Sequence, residues 1–494
     1  MADIRGVLRP CGCTVDLQKG GFERLKPYLA AERKLFPDAH LLHAGPLFYE
    51  GPEVEPGKKA QRSRQVEVAA ELIGRAGIDT VALTAVDLAA SHGKLHKLLK
   101  TAKVGATVAN VEIEGKTTYP KFLIRRIGDL EVGIVAIASD AHAKALGKQG
   151  RIVPPRDATK DAMAQLRGKV DVVVLLSALG LRQTKRLVRK VPGIHFAIVG
   201  GLGEHPIVSD EAELVGGTRV MQFHREGRFV GRLSIRMVNG QVDFADVSAP
   251  SEAEISALDE RIKALKASLS RWEREGKEKE ERALRSARHH IASLKAEKKR
   301  LKDLSLSQDT REGGEASTFN YRVTPLNWDL PQDPEVLALM DAFDEELKVI
   351  NLANAGKLPE AKEGQAVYVG VDTCLECHSD THDFWEKDQH RHAWETLEGL
   401  KKTFDVECIS CHVTGYGKAG GSILGQTKGR EDVQCEACHG PGSLHVENVD
   451  PQFIERKPTE AVCVTCHNSH HSPKFDFKVW RDRIMVPGHG RPLD

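Results

Sequence analysis

The sequence predicts a multidomain chain: an α/β sandwich, then a helical coiled-coil hairpin, then a mainly helical domain too short to bury a core from its own side chains. Three observations predict it. Residues 1–250 alternate short apolar runs such as HLLHAG, DTVALTAV, EVGIVAIAS, DVVVLLSALG and HFAIVGG with helix-like segments such as GKKAQRSRQVEVAAELIGRAG. Residues 251–304 shift sharply to Glu, Lys, Arg, Ala and Leu, with apolar residues stepping by three and four. Beyond residue 370 lie eight of the ten cysteines and eleven of the 21 histidines.

The N-terminal alternation is that of a domain with a largely buried sheet. Many of its runs end in Gly, Asp or His at a strand's C-terminal end, where α/β proteins build their sites. In order and spacing these segments resemble the calcineurin-like metallophosphatases, and within them the 5′-nucleotidase branch. That resemblance implies a metallophosphatase-like sandwich over 1–250, but the motifs are damaged. An active member carries Asp-x-His after the first strand, where this chain reads RPCGC, and Gly-Asp after the second, where it has Gly45-Pro46. Gly-Asn-His-Glu is replaced by Thr84, Ala85, Val86 and Asp87, the Leu-Ser-His-x-Gly histidine by Ala178, and Gly-His-x-His by Gly201-Leu202-Gly203-Glu204. Two-metal phosphoryl hydrolysis needs those ligands to hold both ions and acidify the attacking water. The expectation is a degenerate domain without a dinuclear centre, and the competing reading, an unrelated α/β domain, excludes that centre equally. Cys11 and Cys13 stand where the first ligands would be. Thiols one residue apart could form a strained disulfide, bind a soft metal or exchange electrons. His43, Asp87 and His205 are candidates to line the same pocket.

In 251–304, Ile255, Leu258, Ile262, Leu265, Leu269 and Trp272 form one seam and Leu284, Ala287, Ile291, Leu294 and Leu301 a second. They fall out of register across EREGKEKEE, whose Gly276 is a poor helix former, so an antiparallel hairpin is expected. Its charged faces read as solvated, and the seam is also a candidate surface for a homo-oligomer. Residues 305–365 read as a connector that docks the last domain: a loop, the strand TFNYRVTPL, and a helix that Pro334 is placed to start.

The last domain, 366–494, contains Cys374-Leu-Glu-Cys377-His378, Cys408-Ile-Ser-Cys411-His412, Cys435-Glu-Ala-Cys438-His439 and Cys463-Val-Thr-Cys466-His467. Zinc needs two nearby cysteines but has no use for a histidine directly after the second one every time. Covalent haem does: two thiols add to the two vinyl groups, and the adjacent imidazole becomes the proximal iron ligand. Four c-type haems are expected, in preference to zinc ribbons or redox dithiols. His382, His390, His392, His445, His470, His471 and His489 remain for the opposite iron face, and Met485 is the region's only methionine. Mostly bis-histidine, low-potential haems follow, with Trp385, Trp394, Phe404, Phe475 and Trp480 packing the porphyrins.

The ordered run of these motifs with DQHRHAWETL, ECISCHVTG, VQCEACHGPGSLHV and VCVTCHNSHHSPKFDF resembles the tetrahaem cytochrome c-554 family. The resemblance implies that histidines outside the motifs reach neighbouring haems as distal ligands. It assigns His390 and His445 that role, His382 by a weaker match, and it implies that the haem of C-x-x-C-H-V-T-G, held by His412, keeps an open position. Asp388 departs from the family's serine. His392 lies two residues from His390 and so points elsewhere on a helix, which reads it as a surface histidine.

With 71 basic and 70 acidic residues there is no electrostatic case for nucleic acid. No apolar run is long enough to span a membrane. The chain opens MADIRGVLRPCGC without a signal peptide, yet c-type haem is attached outside the bacterial inner membrane. A periplasmic or outward-facing protein with a trimmed or misplaced start is expected. Two functions remain: an electron carrier serving redox partner proteins, or a haem oxidoreductase acting on a small nitrogen or sulfur compound at an open iron. Active nucleotide hydrolysis is the remote third.

Overall fold

The computed structural model describes residues 1–10, 18–51, 54–90, 93–201, 208–209, 211–248, 252–275, 281–308, 316–468, 472, 475–487 and 489–491. The chain divides into two compact units, Met1–Glu53 with Gln65–Ala338, and Val54–Arg64 with Leu339–Asp494. No described helix is long and apolar enough to cross a membrane.

The first unit is built on a six-stranded sheet in the order Glu213–Val215, Thr218–Gln222, Phe196–Val199, Val172–Ser177, Leu130–Ile137, Phe122–Ile127. The four inner strands are parallel and the two edges antiparallel. Alternation along each strand decides which face a side chain joins. Val135, Ile137, Val173, Leu175, Ala197 and Val199 meet Ala158, Ala162 and Leu166 of helix Pro155–Leu166 and Leu187 and Val188 of helix Leu181–Lys190. Ile134, Ala136, Val174, Leu176 and Phe196 point the other way, onto Ala44, Ala82, Phe244, Phe319 and Tyr321. That second layer comprises the parallel strands Leu42–His43, Thr80–Ala82 and Gly105–Thr107 and a separate sheet in which Phe229–Arg236 pairs with Thr318–Pro325. The expected connector is therefore divided. Its strand completes a sheet of the first unit, and its helix, Pro334–Ala353, has its residues from Leu339 onward in the second.

Helices Glu252–Glu275 and Glu281–Gln308 pack through Ile262, Leu265, Ile291 and Leu294. The ion pairs Arg288 to Glu273 and Lys298 to Asp259 run in opposite sequence directions, so the helices are antiparallel. Trp272 stacks on Trp328 at 6.0 Å, and Arg261 and His290 both pair with Asp329, which fixes the helices to the chain that follows.

The second unit consists of short helices and turns around a small core of Ile409, Val413 and Leu424, joined by Trp394, Phe404 and Val406. Residues 54–64 belong here. Gln61 donates to Asp405 at 2.6 Å and accepts from Asn351 at 2.7 Å, while Arg62 pairs with Glu407 at 2.6 Å; Asp405 and Glu407 lie just before the second attachment motif.

Candidate haem-binding site

Each C-x-x-C-H motif folds as about one helical turn. The His378 and His467 amides donate to the carbonyls of Cys374 and Cys463, at 3.0 and 2.8 Å. Cys435–His439 and Ile409–His412 are helices outright. A turn of this kind puts residues i, i+3 and i+4 on one face, so both thiols and the imidazole of a motif converge on one side of the turn. The thiols of Cys374 and Cys435 lie close enough to perturb each other, as do those of Cys411 and Cys466. Once thioethers form, these contacts stand only for the closeness of the attachment points.

Three motif histidines face a second imidazole across a gap. His378 and His445 have ring centroids 6.2 Å apart, His467 and His390 6.0 Å, and His439 and His489 6.2 Å. Two metal–imidazole bonds of about 2 Å, plus roughly 1 Å from nitrogen to ring centre on each side, sum to roughly 6 Å, so each gap fits one iron between two imidazoles. The other ring nitrogens of His445, His439, His489, His390 and His467 are engaged. Nδ1 donates to the Asp450 carbonyl from His445 (3.0 Å), to the Glu455 carbonyl from His439 (2.6 Å), to the Ile484 carbonyl from His489 (2.6 Å) and to the Asp388 carboxylate from His390 (2.7 Å). His467 Nδ1 bonds Ser472 Oγ at 3.0 Å. An N–H held at Nδ1 leaves Nε2 as the bare lone pair, which is the tautomer a metal requires. Burial pushes His439 and His467 below the ordinary imidazole range, favouring that neutral form.

His412 donates from Nδ1 to the Ala393 carbonyl at 2.5 Å, and among the described residues no imidazole stands opposite it as in the other three. His382 is not brought opposite a motif histidine: its Nδ1 lies 3.7 Å from Asp383 and its Nε2 3.9 Å from Glu386, with the side chain 48% exposed. His392 pairs with Glu395. Of the aromatic residues, Phe475 stacks on His467 at 5.0 Å and Trp480 lies 5.2 Å from it, while Trp394 and Phe404 pack around Ile409. Trp385 donates to the Val433 carbonyl, with Arg391 over its ring. His470 and His471 lie outside the described residues.

Two buried acids missed by sequence reasoning position these groups. Glu436 accepts from the amides of Val369, Gly370 and Gly442, tying the third motif to the start of the first and to the turn that precedes His445. Asp432 accepts from the Trp394 amide and pairs with Arg391, holding the stretch that carries His390. Glu436 lies inside an attachment motif and Asp432 three residues before it, and in sequence both read as surface charge.

In the first unit, the crevice at the strand ends is occupied by structural bonds. Asp87 is fully buried and accepts from the amides of Leu47, Phe48 and Thr84 and from the Thr84 hydroxyl. His43 Nε2 accepts from the Ile4 amide at 3.1 Å. Asp3 accepts from the Gly201 amide at 2.9 Å, and a Cβ at Gly45 would meet its carboxylate. Cys11, Cys13 and His205 lie outside the described residues. Among the described residues of the chain, no group of three or more His, Cys, Asp or Glu is arranged to hold a metal ion.

Residues 373–440 match the family model described as cytochrome c554 and c-prime. Cytochrome c-554 of Nitrosomonas europaea is 33% identical over 93 residues, 16% of this chain and 40% of the relative, so the chain spans less than half the length of that relative. A Thermus thermophilus sulfate thiohydrolase, SoxB, in complex with glycerol aligns at TM-score 0.45 and 12% identity over 75% of this chain and 55% of its own. A 5′-nucleotidase precursor from Thermus thermophilus aligns at TM-score 0.45 and 15% identity over 75% and 60%, and the calcineurin-like phosphoesterase YfkN of Bacillus subtilis at 0.40 and 17% over 49% and 85%. Across its first three attachment motifs the chain is thus similar to cytochrome c554, a likeness that implies covalently bound c-type haem.

Proposed function

We propose that the second unit holds four covalent c-type haems and serves as a periplasmic electron carrier between redox partner proteins. The carrying observation is the set of imidazoles about 6 Å apart, with the outer nitrogens of the partner imidazoles His445 and His390 already bonded. Cys374, Cys377, Cys408, Cys411, Cys435, Cys438, Cys463 and Cys466 would attach the groups, and His378, His412, His439 and His467 would bind from one side. His445 would complete the His378 site and His390 the His467 site. When bound, such groups supply one-electron redox chemistry. The protein fixes the tautomers of His390, His439, His445 and His489 through Nδ1, and Glu436 and Asp432 hold the stretches that carry His445 and His390.

The first unit serves as a scaffold, with Cys11 and Cys13 as a candidate redox pair. Its crevice acids are committed to backbone amides, which supports a domain without a dimetal centre. A second reading, an oxidoreductase acting at the His412 position, is favoured by the lack of a facing imidazole there among the described residues.

Protein made with c-type maturation machinery should gain the mass of four haem groups, and His390→Ala and His445→Ala should each convert one haem from low to high spin and raise its potential. Fewer haems, or zinc at these cysteines, would end the reading. A high-spin component in the unaltered protein that shifts with cyanide or nitric oxide would favour the oxidoreductase.

A further inference from the structure

His489 lies outside every attachment motif and within six residues of the end of the sequence. We propose that it is the distal iron ligand of the haem attached at Cys435 and Cys438, opposite His439, an inference that rests on the haem reading above.

The two ring centroids are 6.2 Å apart, against 6.2 and 6.0 Å in the other facing pairs. Their planes cross at 86°. Rotation about the line through both Nε2 atoms does not change either metal bond, so perpendicular planes suit a shared iron as well as parallel ones. Both outer nitrogens are committed to backbone carbonyls at 2.6 Å, His439 to Glu455 and His489 to Ile484, so both Nε2 lone pairs remain for the metal. Phe384 lies flat on the His489 ring at 4.4 Å and 7°, which fixes its plane. Helix Phe477–Ile484, capped by Asp476 through the Val479 amide, delivers the chain to this point. Val486–Pro487 pairs with Gly490–Arg491 on either side of His489 in the sequence. The rival for this position is His382, whose two nitrogens instead face Asp383 and Glu386.

The test uses the full, haem-loaded chain and two readouts: intact mass for haem count, and magnetic circular dichroism with electron paramagnetic resonance for spin state. His489→Ala should keep every haem attached while the high-spin fraction rises by one haem in four, and added imidazole should return it to low spin. His382→Ala should leave the spectra unchanged. His489→Met should stay low-spin, gain the charge-transfer band of methionine-ligated iron and show a raised potential at one haem, which decides the matter if the alanine variant fails to mature. Spectra of His489→Ala identical to the parent, a high-spin haem in His382→Ala, or no methionine band in His489→Met would overturn the assignment. A parent protein without four covalent haems would instead refute the haem reading beneath it.

Discussion

Replacing Glu436 with alanine removes one carboxylate and leaves three backbone donors without it. The side chain is 1% exposed. Its oxygens lie 2.9 Å from the Val369 amide, 2.7 Å from that of Gly370 and 2.7 Å from that of Gly442. An orphaned buried donor costs about 1–3 kcal/mol. Water entering the space left by truncation would hold the total toward the low end, at about 3–5 kcal/mol, a large part of a typical domain stability of about 5–15 kcal/mol. For a unit of this size, each kcal/mol moves the melting temperature by about 2–4 °C, so thermal unfolding followed by circular dichroism should fall by roughly 10 °C. Gly442 directly precedes helix Ser443–Asn448, which carries His445, so the same variant should show partial high-spin character at the His378 haem. Glu436→Gln, which keeps one accepting oxygen, should fall between. A melting temperature within about 2 °C of the parent, with an unchanged spectrum, would refute the positioning role.

Nucleotides and model phosphoesters with added manganese or zinc should show no metal-dependent turnover, and Asp87→Ala should lower stability instead of any activity; robust hydrolysis lost in Asp87→Ala would show that the crevice still works as a metal site. Asp3 supplies a pH test: burial pushes its carboxyl up to about 7, against the pull of Arg5 and the Gly201 amide. An acid raised on folding contributes stability that is fully present below its ordinary value and lost as pH rises through about 7. The stretch from the ordinary value to about 7 is roughly three pH units, of which about two lie above pH 5 and correspond to on the order of 3 kcal/mol, so denaturant unfolding of the first unit should weaken between pH 5 and pH 8 by that amount, and Asp3→Asn should abolish the change. An equal slope in the variant would remove Asp3 as its source.

The parts of this molecule that are legible in the sequence are those whose physics is local. Val173, Val174, Leu175 and Leu176 announce a strand buried on both faces because every second residue must find apolar company. The attachment motifs are legible because their chemistry needs three side chains within five positions. Illegible are the features made by distant backbone. Nothing in GPEVEPGKKAQR marks Gln61 as a partner of Asp405 and Asn351, since a glutamine that accepts two hydrogen bonds in one place reads the same as a solvated one. Glu436 and Asp432 look like surface charge until the amides around them are seen. Strand Thr318–Pro325 was recognisable as a strand, but its partner, Phe229–Arg236, lies across the intervening helical pair.

The histidine pairs show why so little apolar core is needed in the second unit. On the proposed assignments, one iron joins His378 to His445, another His467 to His390 and a third His439 to His489, residues at least 50 positions apart in every case. Each such link closes a long loop, and one that stays ligated in the unfolded chain constrains that chain as well. In the chain-entropy account a cross-link over loops of this length is worth about 4 kcal/mol. Three of them would offset much of the ordering cost that Ile409, Val413 and Leu424 alone could not. The links also interleave: the chain from His378 to His445 contains His390 and His439, one member of each of the other two pairs. No pair can therefore separate without disturbing the path of another. That arrangement keeps the attachment points of different motifs close, as the Cys374–Cys435 and Cys411–Cys466 contacts already display, and closeness is what electron passage between neighbouring haems requires.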